Sequence, residues 1–318
     1  MYFFAQRLFH TLLPAIALIS GLLALYIVGL AINIEMVSFT FLVGYPIVAG
    51  AVILHFRPTG KMWGFGKSIL WIIGIALASL LASLFSGLEG VICVTMAAVP
   101  ILMGTLLGGV IYLTIRRWQN YGQSHLKAIV APVLAVATVS MISFPAEYYT
   151  ISNSIEIDAP PATVFAMLKD IPDIEPEEIT TRPVHWLGVP KPTHAVWRES
   201  AVGTVRYSHW GDGVHFREVI TQFEQDRKIS WDFEFPEGWV REGIEDQHIK
   251  VGGRYFDIIS GGYQLEDLGG KTRLTLTTKT YDNSKLGPYA KFWHHFFFED
   301  FHLAILELVR NRVEAGYL

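Results

Sequence analysis

Cysteine is nearly absent, with Cys93 the only one in 318 residues. No internal disulfide and no cysteine-rich metal site can form. Acid is just as scarce at the front: residues 1–145 hold Glu35 and Glu89 against seven basic side chains, Arg7, Arg57, Lys61, Lys67, Arg116, Arg117 and Lys127. The remaining residues hold 18 basic and 27 acidic side chains, a net charge that repels phosphates and argues against nucleic acid as a partner. Also missing are a phosphate-binding loop, a dinucleotide fingerprint, a nucleophile elbow and a zinc-protease helix. Enzymes defined by those motifs are excluded, no catalytic residue can be named, and no cofactor is expected. No internal repeat is present either.

What the front half does have is length in apolar residues. Five uncharged runs, 8–34, 36–56, 66–86, 91–115 and 128–146, approach or exceed the roughly 17–25 residues that a helix needs to cross a bilayer core. The first is too long for a cleaved secretory signal and is read as a retained span. The fifth, interrupted by Pro132, is the shortest. If all five cross, the seven basic residues share one face, which by the positive-inside rule is the cytoplasm. An odd number of spans then puts the rest of the chain outside the cytoplasm, beyond a cell inner membrane crossed several times. No charged residue falls at mid-span, so an anchor or ligand-collecting scaffold is preferred to a pump. Gly104, Gly108 and Gly109 suit close helix packing.

From Tyr148 the period changes. YTISNSIEID alternates as a strand does, and Ala159-Pro160-Pro161 opens an amphipathic helix with Val164, Phe165, Met167 and Leu168 facing a core. Five prolines between Pro172 and Pro192 predict irregular structure, with a short helix near 174–178. Strands follow at 203–210, 214–224, 228–235, 255–265 and 272–281, separated by Gly211-Asp212-Gly213 and Asp267-Leu268-Gly269-Gly270-Lys271. A long helix closes the chain over 286–315, with Leu286, Ala290, Trp293, Phe297, Phe301, Ala304, Ile305 and Leu308 on the expected sheet-facing side.

SIEIDAPPATVFAMLKDI at 154–171 and YQLEDLGGKTRLTLTTKTY at 263–281, in this order of elements, resemble the START-like superfamily, also called polyketide cyclase, SRPBCC or helix-grip. The resemblance covers about 148–315. It implies an α+β domain over 147–318, a curved antiparallel sheet around a long C-terminal helix enclosing an apolar cavity; the transmembrane all-α region over 1–146 lies outside it and rests on the apolar runs. It also implies a hydrophobic small-molecule ligand; beside apolar spans, the preferred expectation is a ligand of the lipid, isoprenoid or quinone class exchanged with the adjacent bilayer. This fold hosts many unrelated activities. The alternatives are a cavity enzyme of cyclase or hydratase type, a metal-dependent enzyme, and a sensory or scaffold protein that binds a partner protein.

Within FWHHFFFEDFH at 292–302, Trp293, His294, Phe297, Asp300, Phe301 and Ala304 are the candidate ligand-binding residues, with His294 and Asp300 as its polar groups. His295, Glu299 and His302 are spaced i, i+4, i+7 as metal ligands are, but a solvated patch opposite the sheet is the preferred reading. His209 and His215 straddle a turn, where a surface pair is commoner than a metal site. Trp239, in a Pro-Glu-Gly-Trp loop, is a candidate for the membrane interface.

Overall fold

The computed structural model describes residues 2–31, 37–57, 64–119, 134, 136–139, 141–200, 203–241 and 248–317. The chain divides into two compact units, Met1–Phe144 and Pro145–Leu318.

In the first unit, α1 (Tyr2–Ala31), a π-helical turn (Thr40–Gly44), α2 (Tyr45–His55), α3 (Phe65–Phe85) and α4 (Val91–Gln119) follow one another. Among the described residues, α3 and α4 carry the apolar stretches long enough to cross a membrane, Phe65–Phe85 and Val91–Arg117. Only 22% of each stretch is buried in the protein, so these helices are apolar all round yet largely uncovered. The expectation of five spans is thus corrected to two helices of sufficient length. The second run gives a shorter apolar helix, Thr40–His55, which at 1.5 Å per residue reaches roughly 24 Å, short of the ~30 Å hydrocarbon core. The first run falls within the 30-residue α1, of which Leu13–Val28 is the apolar part described. Of the fifth run, residues 128–133, 135 and 140 lie outside the described residues, and 141–146 are not helical.

Glycine sets the packing of this unit. A Cβ at Gly108 would stand 1.8 Å from the Ile47 carbonyl oxygen, and one at Gly50 1.9 Å from that of Thr105. The backbones of α2 and α4 therefore touch, as small residues permit. Around the crossing, Leu54, Ile72 and Tyr112 are fully enclosed.

The second unit runs β1 (Glu147–Ile157), α5 (Pro161–Lys169), α6 (Pro183–Trp186), β2 (Pro192–Ser200), β3 (Gly203–Trp210), β4 (His215–Glu224), β5 (Lys228–Glu234), β6 (Phe256–Asp267), β7 (Thr272–Asp282) and α7 (Pro288–Glu314). Every strand pairing is antiparallel, in the order β1-β7-β6-β5-β4-β3-β2. This curved seven-stranded sheet with a C-terminal helix is a helix-grip arrangement.

Local chemistry explains the elements. Proline at the first helical position starts both α5 and α7, where its missing N–H costs nothing. Gly269 and Gly270 both take positive φ, 81° and 96°, as a two-residue hairpin whose twist matches its strands requires. Bulges between Ile220 and Gln222 and between Ile258 and Ser260 accentuate the twist. The short helix expected at 174–178 is instead a turn, and the helix lies at Pro183–Trp186. There the Arg182 backbone N–H donates to His185 Nδ1 (2.9 Å) and the Val184 N–H to Asp300 Oδ2 (3.2 Å). β2 was not anticipated, because Pro190 and Pro192 at its entry read as loop.

The core joins both sides of the sheet's concave face to α5 and α7: Ile157, Phe165, Leu168, Ile229, Trp231, Leu274, Leu306, Leu308 and Val309 are all buried. At roughly 1.5–3 kcal/mol per enclosed side chain this cluster is the main stabilising contribution of the unit.

Candidate ligand-binding site

Alternation along β3, β4 and β5 sends Arg206, Ser208 and Trp210, then Phe216, Glu218 and Ile220, then Ile229, Trp231 and Phe233 to the face that α7 covers. Toward one end of that face the lining is aromatic. Trp210 meets Phe216 (ring centroids 6.2 Å) and the helix residue Phe301 (5.5 Å), and Phe216 meets Phe233 (5.7 Å) and Phe235 (5.8 Å). Phe235 in turn meets Trp239 at 4.9 Å, and Phe301 meets Phe297 at 6.4 Å. All seven rings are half-buried, whereas the aliphatic residues of the core are closed off. An accessible, mostly apolar concave surface with few polar groups is the usual form of a small-molecule site.

The polar floor beside it is an ion pair. Arg206 Nε donates to Glu218 Oε2 (2.5 Å), Ser208 Oγ to Glu218 Oε1 (3.0 Å), and Arg206 Nη1 to the Leu168 carbonyl (2.6 Å). The guanidinium also lies over the rings of Trp231 (5.0 Å) and Tyr263 (5.3 Å), where cation–π attraction adds to the pairing. Burial opposes the charge on Arg206, but Glu218 and Tyr263 outweigh it and raise its pKa. Burial pushes the Glu218 carboxyl up, opposed by Arg206 and Ser208. Arg206 also caps the carbonyl end of α5, the favourable end of a helix for a cation. Gly261 completes the floor: a Cβ there would sit 2.7 Å from the Trp231 ring, so only glycine lets the indole lie flat against β6.

The sequence-predicted residues fall into three groups. Phe297 and Phe301 belong to the aromatic surface, and Trp293 adjoins them, 5.9 Å from Phe297. Ala304 is buried in the core. His294 turns to the sheet, with Nδ1 2.7 Å from Thr280 Oγ1, Nε2 3.7 Å from Asp282 Oδ1, and its ring between Tyr149 and Phe256. Burial, then Asp282 and Glu147, pushes the Tyr149 hydroxyl up to about 12. Asp300 faces the other way, accepting from the Val184 N–H with Arg182 Nη1 at 3.9 Å.

The spacing of His295, Glu299 and His302 does not become a cluster. His302 is buried against β7 and β1, taking the Thr278 hydroxyl at Nε2 (2.7 Å) and facing Asn153 Oδ1 with Nδ1 (2.9 Å). Burial lowers its pKa to about 4, so it stays neutral. Glu299 is exposed. Among the described residues no group of three His, Cys, Asp or Glu could hold a metal ion. His209 and His215 do meet across the turn (6.1 Å), and His194 on β2 extends the stack (4.3 Å from His209). Burial, then its two neighbours, lowers the pKa of His209. Parallel stacked rings do not aim their nitrogens at a common point. Trp239 packs on Phe235, half-buried.

The sequence reasoning missed the Arg206–Glu218 pair as a unit, although the signal was present. Register around Asp212 pairs His209 with His215 and, three residues further out on each strand, Arg206 with Glu218.

No family model matches the chain, and no curated protein is similar to it. Solved structures with which it shares similarity include Ara h 8.0201, at 12% identity over 53% of this chain and 99% of that one, TM-score 0.34. The ZhuI aromatase/cyclase from Streptomyces sp. R1128 is 14% identical over 54% of this chain and 97% of its own, TM-score 0.34. A norcoclaurine synthase point mutant from Thalictrum flavum is 10% identical over 55% and 99%, TM-score 0.34. At that level of similarity, function is argued from this chain's own residues.

Proposed function

We propose that the chain is a membrane-anchored protein whose second unit binds a hydrophobic small molecule, of the lipid, isoprenoid or quinone class, between α7 and the concave face of the sheet. One observation carries this reading: aromatic rings from β3, β4, β5 and α7 form one continuous surface that stays half-buried beside a fully enclosed core. Apolar area removed from water supplies the affinity, and Trp293, Phe297 and Phe301 present the helix side of the contact.

Anchoring is supported by α3 and α4, whose connection includes Glu89 and whose outer ends carry Lys67 and Arg116-Arg117. Basic residues at both outer ends make α3 and α4 a hairpin that leaves and re-enters the cytoplasmic side. On this reading, with α3 and α4 as the crossing pair, the second unit lies on the cytoplasmic side. A C-terminal reporter active only in the cytoplasm tests this; silence there means that a further segment crosses.

Ligand binding is tested by native mass spectrometry of the full chain released from detergent. A co-purified apolar molecule that disappears in Phe301→Ala and in Trp210→Ala is the expected result. Wild-type protein free of any such molecule, and unable to take up a fluorescent fatty acid or isoprenoid probe, would overturn the reading.

A further inference from the structure

We infer that the N-terminal end of α7, with the turn before it, is a docking surface for an anionic lipid bilayer. The sixteen residues 283–298 contain Lys285, Lys291, His294 and His295 and no acid, inside a unit that is otherwise strongly acidic. Lys285 and Lys291 are exposed, and Phe292 between them is 57% exposed, an unusual state for a phenylalanine on a helix that packs a core. Tyr289, Phe292 and Phe296 recur at i, i+3 and i+7 and so share one side of the helix, Tyr289 and Phe296 half-buried. Apolar rings flanked by lysines are the pattern of a surface that sinks into the headgroup boundary, with cations meeting phosphates. The first turn of α7 carries no carboxylate to oppose them.

Arg254 adds to the same end, because the Asn283 side chain donates to its carbonyl (3.3 Å) and holds its exposed loop beside the turn. Strand register brings two carboxylates there, Glu147 and the buried Asp282 opposite it. Charge decides the occupant, because exposed lysines on either side of an exposed ring complement anionic headgroups. β1 starts at Glu147, so the strand end that the chain from α4 enters first is paired with the residue that leads into Lys285 and α7. The docking surface rests on the anchored reading above. It does not depend on whether a ligand binds.

If a ligand does bind, the surface also has a route inward. Ring contacts run unbroken from Phe292 to Phe296 (6.2 Å), Phe297 (5.5 Å), Phe301 (6.4 Å) and Trp210 (5.5 Å), from the exposed side of α7 to the concave face.

The test uses the full chain with Cys93→Ser and a single bimane label at Phe292→Cys or, as a control, at Leu268→Cys in the β6–β7 turn. Each is reconstituted in vesicles of phosphatidylcholine mixed with phosphatidylglycerol and carrying brominated acyl chains. The expected result is several-fold stronger quenching at position 292 than at 268, lost in pure phosphatidylcholine and in Lys285→Gln with Lys291→Gln. Equal quenching at both positions would overturn the inference, as would a 292 label that escapes lipid but cross-links to the same position in a second copy. Failure of ligand binding would instead show in the co-purification experiment and leave this quenching unchanged.

Discussion

The two units handle interior polarity in opposite ways. In the first, helices meet by bringing backbone against backbone at Gly50 and Gly108, and several hydroxyls are satisfied within their own helix, as where Thr105 donates to the Ile101 carbonyl (2.6 Å) one turn earlier, with Tyr26 to Glu89 and His55 to Tyr112 as longer-range contacts. In the second, charged and imidazole groups are taken inside and joined across long sequence distances: Arg206 to Glu218, Arg312 to Glu178 (2.7 Å), His302 to Asn153. In the bilayer proposed for the first unit a buried charge would gain nothing, and close van der Waals contact would be what holds the helices together. A unit that keeps one face open can use such pairs to fix strand register and helix position. The difference teaches where each unit is fragile.

The largest effect should come from breaking the buried pair. Glu218→Ala leaves the Arg206 guanidinium enclosed and uncompensated, and should cost roughly 3–5 kcal/mol, whereas Arg206→Met with Glu218→Leu should cost much less. Urea unfolding followed by near-ultraviolet circular dichroism of the tryptophans measures both. A double variant as unstable as the single one would show that the pair is irreplaceable and not merely intolerant of being halved.

His302 supplies the next effect and a pH signature. Its folded pKa, about 4, lies below the ordinary 6.5, so between those values the unfolded chain binds a proton that the folded one refuses. Stability therefore falls as pH drops from 6.5 towards 4, by roughly 3 kcal/mol if the whole difference is realised. His185 and His209 are also depressed by burial and act in the same direction. The His302→Gln variant should lose most of the slope in that window; an unchanged slope would assign the acid sensitivity elsewhere. In the first unit the matching weak point is steric, and Gly108→Ala should cost about 1–3 kcal/mol through overpacking against the Ile47 carbonyl. Thermal unfolding of the full chain in detergent reads this as an earlier transition of the helical unit with the sheet transition unmoved.

Legibility in the sequence follows the same division. Apolar length in the first unit could be read directly, but which runs form crossing helices depends on where helices start and stop, and between residues 8 and 56 Glu35 is the only charge to mark such an end. Strands of the second unit were legible because alternation and glycine turns are local. β3 was predicted at its observed limits, 203–210. β2 was not, since Pro190 and Pro192 at its entry carry loop character while the pairing with β3 is tertiary. The helical wheel of α7 misplaced His302 for a physical reason. Polarity ranks imidazole as outward, yet Thr278 offers a hydroxyl on the inner face of β7 and His302 turns in to meet it, while His294, expected beside the cavity, meets Thr280 in the same way. The aromatic positions on the same wheel needed no partner of that kind, and Phe297 and Phe301 were found where apolar spacing placed them.

Asp300 gives the smallest effect and the sharpest separation of folding from binding. Sequence position alone made it a group for orienting a ligand. In the fold its carboxylate accepts from the Val184 N–H at the start of α6 and lies near Arg182, which also donates to Glu307 (2.6 Å), so it holds the short helix against α7. Losing such a cap costs about 1 kcal/mol. Asp300→Ala should therefore lower stability by that amount while leaving the uptake of an apolar probe within about twofold. Phe301→Ala, which removes a ring from the half-buried surface, should show the reverse balance, with probe uptake falling at least tenfold, about 1.4 kcal/mol of binding. Should Asp300→Ala abolish uptake with stability intact, the polar end of the site lies on the α6 side of the helix, and the boundary between the unit's closed interior and its open face must be moved there.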